Sequence, residues 1–339
     1  LALTGSFTTG FDSTAQREGS DKHCMMGSTK EHFRSGQSVV LRMLGYQPLV
    51  ATKTFFARTK FTTKGQQTFN MITQAAVTED RNFDDIAHKF AKNIYGSDKG
   101  EIRQVIVWQD LAQALAMLQS DQQRLQVLDA GGGLAQMSQK IAKLGHQVAL
   151  CDLSSEMLQL AKQDIESNGL LDNYRLIHSP VQDIAQHMPA PVDLVMFHAV
   201  MEWLVDPKSA LETVLDQVKP GGIASIMFYN HHGLVYKNVV CGNLPHVLEG
   251  MPHRKRFKLQ PQKGLVPQDV YQWIEDAGFE ICGKSGIRCF SDYIGNRMNM
   301  GDYQFEDVLA LEEKLCRQEP YLSLGRYIHV WAQKKDKQE

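Results

Sequence analysis

The chain has 339 residues, of which 43% are apolar and 22% charged, and its formal net charge is −2. This suffices for one large domain with additions, and it excludes a global electrostatic pull toward nucleic acid, so any polyanion must be met by a local patch. Six scattered cysteines (Cys24, Cys151, Cys241, Cys282, Cys289 and Cys316) form no C-x-x-C pair and read as reduced thiols of a cytoplasmic protein, and no apolar run is long enough to mark a membrane span.

Residues 1–78 are rich in Thr, Ser, Gly and Gln, carry no sustained period, and hold nine Lys+Arg against four Asp+Glu. They are expected to be a disordered tail or translated sequence upstream of a start at Val77. A basic arm that helps hold RNA is the functional alternative, and a transit peptide a weaker one. The short apolar patch Ser38 to Leu44 has no partner segment.

From Asp80 a helical period appears in Phe83, Ile86, Ala87, Phe90 and Ala91, stopped by Tyr95-Gly96. A second helix is predicted from about Lys99 to Leu118. Strands and helices then alternate. Strand one is Leu125 to Leu128, followed by a helix from Ala135 to Leu144. Strand two is Gln147 to Cys151, followed by a helix from Ser154 to Asn168 with Ser154 as N-cap. Strand three is Tyr174 to His178, with a short helix from Val181 to His187. Strand four, Val192 to Phe197, is a continuous apolar run of the kind found where both sheet faces are covered. Pro207 opens a helix to Val218. A turn at Pro220-Gly221-Gly222 leads to strand five, Ile223 to Phe228. Residues 230–266 read as an insertion with a polar His231-His232 loop. A helix over Pro267 to Ala277, a sixth strand over Phe279 to Cys289, a helical excursion over residues 292–319 and a last strand over Gly325 to Ala332 complete the domain. Residues 335–339 are a solvated tail. This order implies an α/β fold, a mostly parallel sheet with right-handed crossovers and helices on both faces.

Ligands of such sheets bind beyond the carboxyl ends of the strands, near the switch in strand order. Gly131, Gly132 and Gly133 fall there after strand one, where bare backbone allows a close approach. Asp152 ends strand two, 23 positions after Asp129, suited to accept from the hydroxyls of a ribose. The dinucleotide pattern G-x-G-x-x-G fails, because Gln136 stands at its third glycine.

The acid-first arrangement DAGGG resembles motif I of class I S-adenosylmethionine-dependent methyltransferases, which implies a Rossmann-like, seven-stranded sheet. Asp152 matches that family's ribose-binding acid. Asp183, in SPVQDI, matches its adenine-side acid, with Val181 and Gln182 beside it. Three stretches narrow the likeness: RNFDDIAHKFAKNIYGSDKGEIR (81–103), FHAVMEWLVDP (197–207) and RQEPYLSLGRYIHV (317–330). With MFYNHHGL (227–234), they resemble the bacterial tRNA 5-carboxymethoxyuridine methyltransferase family over about residues 80–334. That resemblance implies methylation, with S-adenosylmethionine, of the carboxylate of 5-carboxymethoxyuridine at the tRNA wobble position. It also implies that Arg103 holds the cofactor carboxylate, Gly131 and Gly132 its backbone-facing side, and Asp152 its ribose, with Val181 and His198 completing the pocket.

A carboxylate is ionised at neutral pH and is itself the nucleophile, so no general base is required. The sequence shows no catalytic dyad and no metal motif. An anionic substrate still needs donors, for which Tyr229, Arg288 and Arg326 are candidates. The run His253-Arg254-Lys255-Arg256-Phe257-Lys258 is the densest cationic stretch. Arg254, Lys255, Arg256 and Lys258 are candidates for phosphate contacts to an anticodon loop, and Phe257 for stacking. Two alternatives stay open: a small-molecule carboxyl O-methyltransferase, and an S-adenosylmethionine-binding interaction module without transfer activity.

Overall fold

A computed structural model describes residues 79–88, 97–118, 124–251, 261, 263–294 and 303–336. The expectations for residues 1–78, for the first helix beyond His88 and for the 253–258 basic run lie outside these residues.

Helix α1 (Asp98–Leu118) precedes the alternating part of the chain. There follow β1 (Gln126–Ala130), α2 (Gln136–Ala142), β2 (Gln147–Asp152), α3 (Ser155–Ser167), β3 (Tyr174–His178) and a 3-10 turn at Val181–Gln186. Next come β4 (Val192–His198), a 3-10 turn at Met201–Trp203, α4 (Pro207–Asp216) and β5 (Val218–Tyr229). The remainder is α5 (His231–Val240), α6 (Leu244–Leu248), α7 (Pro267–Asp276), β6 (Phe279–Ile287), α8 (Phe305–Leu315) and β7 (Tyr327–Lys334). The strands form one seven-stranded sheet in the order β3-β2-β1-β4-β5-β7-β6. β1 to β5 pair in parallel, and β7 runs antiparallel between β5 and β6.

Alternate strand residues feed two apolar layers. On one face Val127, Val148, Leu150, Leu194 and Met196 pack with Ile102, Ile106 and Leu111 of α1 and Leu158 of α3. On the other, Leu128, Ala149, Val195, Phe197 and Ile226 pack with Leu211 of α4 and Ile274 of α7. Helices on both faces explain why β4 is apolar throughout. The caps act as the sequence suggests. Ser154 Oγ accepts from the Met157 N–H at 3.1 Å, and Asp206 accepts from the Ser209 N–H at 3.1 Å ahead of Pro207.

Three expectations change. β1 continues past Leu128 because Asp129 and Ala130 keep pairing with Leu150 and Cys151, which buries Asp129 inside a strand. Pro220-Gly221-Gly222 is a bulge within β5: pairing with β4 jumps from Val192–Val218 to Leu194–Ile223, and Gly221 takes φ +72°. A bulge accepts proline, which has no N–H to donate. His231 and His232 open α5, capped by the Asn230 side chain, instead of lying in a loop.

Candidate active site

The order reverses between β1 and β4, and a cleft opens at the carboxyl ends of the strands there. On its β2 side Asp152 is held by main chain. Its Oδ2 accepts from the Gly133 N–H at 2.9 Å, and its Oδ1 accepts from the Ser154 N–H at 2.8 Å. Burial raises its pKa, while the two N–H groups oppose that. Each oxygen keeps further lone pairs, so the carboxylate is oriented without being saturated. Val181 and Gln182 line the same side.

The glycines have separate reasons. Gly131 has φ +65°, and a Cβ there would lie 2.6 Å from Val200 Cγ2. A Cβ on Gly132 would lie 2.3 Å from Asp129 Cγ. Gly133 has φ +56° and only Met157 Cε near, at 3.8 Å. At Gly131 and Gly132 the space a Cβ would need is taken by the protein's own Val200 and Asp129, and both glycines line the cleft. Burial pushes the Asp129 carboxyl up to about 7.

On the β4 side the wall is Arg103 from α1, His198, Val200 and Met227. Arg103 stacks over the Tyr327 ring at 5.1 Å, and its buried Nε has no hydrogen-bond partner among the described residues. His198 Nε2 meets Ser225 Oγ at 2.8 Å. Burial, then His329 and Arg103, hold its imidazole well below the ordinary range, so it is neutral at pH 7. Glu202, whose charge Arg103 favours, is buried, and burial raises its carboxyl to about 7.

A strap crosses the mouth. Asp80 Oδ2 accepts from Gln182 Nε2 at 2.7 Å on one side of the cleft, and Asp80 Oδ1 accepts from the Val205 N–H at 2.7 Å on the other. Phe83 packs edge-on to Trp203, with centroids 4.9 Å apart.

Next to the β4 side lies a cluster of cations around Asp292. Arg288 pairs with Oδ1, Arg326 Nε lies 3.2 Å from Oδ2, and Lys99 Nζ lies 3.7 Å from Oδ1. Lys237 Nζ donates to the Asp292 backbone carbonyl. Three cations thus face one carboxylate and a fourth its backbone carbonyl, and Arg288 Nε and Arg326 Nη1 are buried without hydrogen-bond partners among the described residues. Arg326 stacks over Tyr229 at 5.1 Å, and Tyr229 packs on Tyr327 at 5.3 Å, so an aromatic pair joins Arg326 to Arg103.

Residues 128–226 match a family described as a methyltransferase domain. A tRNA 5-carboxymethoxyuridine methyltransferase of Escherichia coli is 52% identical over 262 residues, which cover 76% of this chain and 99% of the relative. The chain belongs to the tRNA 5-carboxymethoxyuridine methyltransferase family. A ubiquinone biosynthesis O-methyltransferase of Xanthomonas euvesicatoria is 28% identical over 167 residues, 48% of this chain and 65% of that one. The magnesium protoporphyrin IX methyltransferase of Synechocystis, solved with bound SAH, shares the fold at TM-score 0.50 and 15% identity, over 75% of this chain and 96% of that chain.

In this methyltransferase the fold gathers Arg103, Gly131, Gly132, Asp152, Val181, Gln182 and His198 around one cleft. Asp183 is on the right turn but does not line it. Its exposed carboxylate accepts from Gln186 Nε2 at 3.4 Å. Tyr229, Arg288 and Arg326 come together beside the cleft, organised by Asp292, which sequence reasoning did not single out. The strap residues Asp80 and Phe83 were also missed as site residues. Their motif was visible, but its position over the cleft depends on contacts to residues 182, 203 and 205. Among the described residues no group of three or more His, Cys, Asp or Glu is placed to hold a metal. Nor is any described helix long and apolar enough to cross a membrane.

Proposed function

We propose that this chain uses S-adenosylmethionine to methylate the carboxylate of 5-carboxymethoxyuridine at the wobble position of tRNA, giving the methyl ester. The observation that carries the reading is 52% identity over nearly the whole length of a relative that bears that name. The cleft fits the cofactor. Asp152 offers fixed acceptors for ribose hydroxyls, and Arg103 has an unused buried Nε–H for a carboxylate. Asp152 lies toward β3 and Arg103 toward β5, so the nucleoside belongs at one end of the cleft and the amino acid at the other.

Bound there, S-adenosylmethionine supplies an electrophilic sulfonium methyl group. The protein's share is to bind and orient. Arg288 and Arg326 hold the substrate carboxylate, using donors that Asp292 leaves unpaired. No side chain has to take a proton, because the carboxylate arrives ionised. Positioning alone can lower such a barrier by roughly 7–11 kcal/mol. The unstacked wobble base enters past the strap, and the anticodon loop is the partner.

The test is to incubate the protein with methyl-labelled S-adenosylmethionine and tRNA carrying 5-carboxymethoxyuridine, then analyse the nucleosides by mass spectrometry. Label is expected in the wobble nucleoside as an ester released by mild alkali. Label elsewhere, or none, overturns the reading.

A further inference from the structure

Behind His198 a chain of hydrogen bonds runs through the middle of the sheet. Arg317 Nη2 donates to Asp110 Oδ1 at 2.6 Å. Asp110 Oδ2 lies 2.8 Å from His329 Nδ1, His329 Nε2 lies 2.7 Å from Ser225 Oγ, and Ser225 Oγ lies 2.8 Å from His198 Nε2. Asp110, His329 and Ser225 are at most 1% exposed, and they come from α1, β7 and β5. The order Asp, His, Ser resembles a hydrolase triad. Ser225, however, is sealed inside the sheet with a histidine on each side of its hydroxyl, so no substrate reaches it.

We infer that Asp110, His329 and Ser225 are positioning residues that fix the tautomer of His198, so that His198 Nδ1 is presented as a hydrogen-bond acceptor for the cationic amino group of the cofactor. The proton positions follow from what each group can do. Burial works against the Asp110 anion, but His329 and Arg317 outweigh it and keep its carboxyl below the ordinary range. An ionised Asp110 only accepts, so His329 Nδ1 carries a hydrogen. We take His329 as the Nδ1–H tautomer that Asp110 selects, with a bare Nε2 that accepts from the Ser225 hydroxyl. The Ser225 oxygen then accepts from His198 Nε2–H. A neutral His198 is left with a bare Nδ1, on a ring that lines the β4 side of the cleft with Arg103. One residue takes the carboxylate of the amino-acid end and the other its ammonium. Replacing an aspartate of such a relay by asparagine can invert the tautomer while leaving the fold intact.

The inference rests on the cofactor reading above, and its test separates the two. Nitrogen-15 NMR of histidine-labelled, cofactor-free protein reads the tautomer directly, with His198 assigned by loss of its signal in His198→Gln. The Nε2–H form is expected in the wild type, and the Nδ1–H form in Asp110→Asn. Finding Nδ1–H in the wild type overturns the relay, whatever the cleft binds. Calorimetry then supplies the functional side. Ser225→Ala, which cuts the chain without adding bulk, should weaken S-adenosylhomocysteine about tenfold. It should leave 5′-methylthioadenosine, which lacks the amino acid, unchanged. The same substitution in a His198→Gln background should add nothing. Equal weakening of both ligands, or of neither, overturns the assignment.

Discussion

The carboxylate of Asp129 fills the space that a side chain at residue 132 would need: a Cβ built on Gly132 would lie 2.3 Å from Asp129 Cγ. Gly132→Ala must therefore displace a buried acid in the wall of the cleft, at a cost of about 1–3 kcal/mol. Gly133→Ala meets only Met157 Cε at an ordinary contact distance of 3.8 Å, so only its left-handed backbone is penalised, by about 1 kcal/mol. Urea unfolding should rank Gly132→Ala as the more destabilised, and only Gly132→Ala should also weaken S-adenosylhomocysteine binding. Equal stabilities would contradict the packing reason for this glycine.

Asp152→Ala removes the acceptor for two loop N–H groups and the proposed ribose contact together. Cofactor affinity should fall by at least tenfold in calorimetry. Asp152→Asn, which keeps one oxygen, should lose less. Unchanged binding would contradict the ribose assignment.

Asp129 and Glu202 are both raised to about 7 by burial, from ordinary values of 3.8 and 4.5. Between the ordinary and raised values the folded state holds protons that the unfolded state has released, so each group lowers stability as pH rises across that window. Below it both states are protonated and the penalty is absent; above about 7 it is complete. The stability of Asp129→Asn relative to wild type should therefore climb from pH 4 to pH 7 and then level off, by on the order of a few kcal/mol. Glu202→Gln should follow the same course. A difference that does not change with pH would show that these acids are ionised in the fold.

Arg326 touches Asp292 and Tyr229 but does not line the cleft. Arg326→Gln should lower kcat/KM for tRNA by tenfold or more while calorimetry with S-adenosylhomocysteine stays at the wild-type value. Loss of cofactor affinity in this variant would place the arginine on the wrong ligand.

Much of the sheet could be read locally. Apolar runs such as Val192 to Phe197, and caps such as Ser154 and Pro207, depend on neighbours in sequence, and the structure keeps them nearly in place. The ends of β1 and β5 shifted because pairing partners, not propensity, decide them: Leu150 and Cys151 draw Asp129 and Ala130 into β1, and β4 holds β5 together across Pro220. In the site, positions on the strand-end turns were readable, but burial was not. Asp183 sits on the expected turn and faces solvent. The line from Asp110 through His329 to Ser225 joins residues more than a hundred positions apart from separate elements, as does the pairing of Lys99 with Asp292. No local pattern marks such groups.

The most direct measurement is a crystal structure with S-adenosylhomocysteine. Its ribose should meet Asp152, its adenine should lie against Val181 and Gln182, its carboxylate should meet Arg103, and its sulfur should face the side where Tyr229, Arg288 and Arg326 gather. A ligand bound away from the carboxyl ends of β1, β2 and β4, or reversed so that its amino acid meets Asp152, would contradict both the site and the chemistry assigned to it.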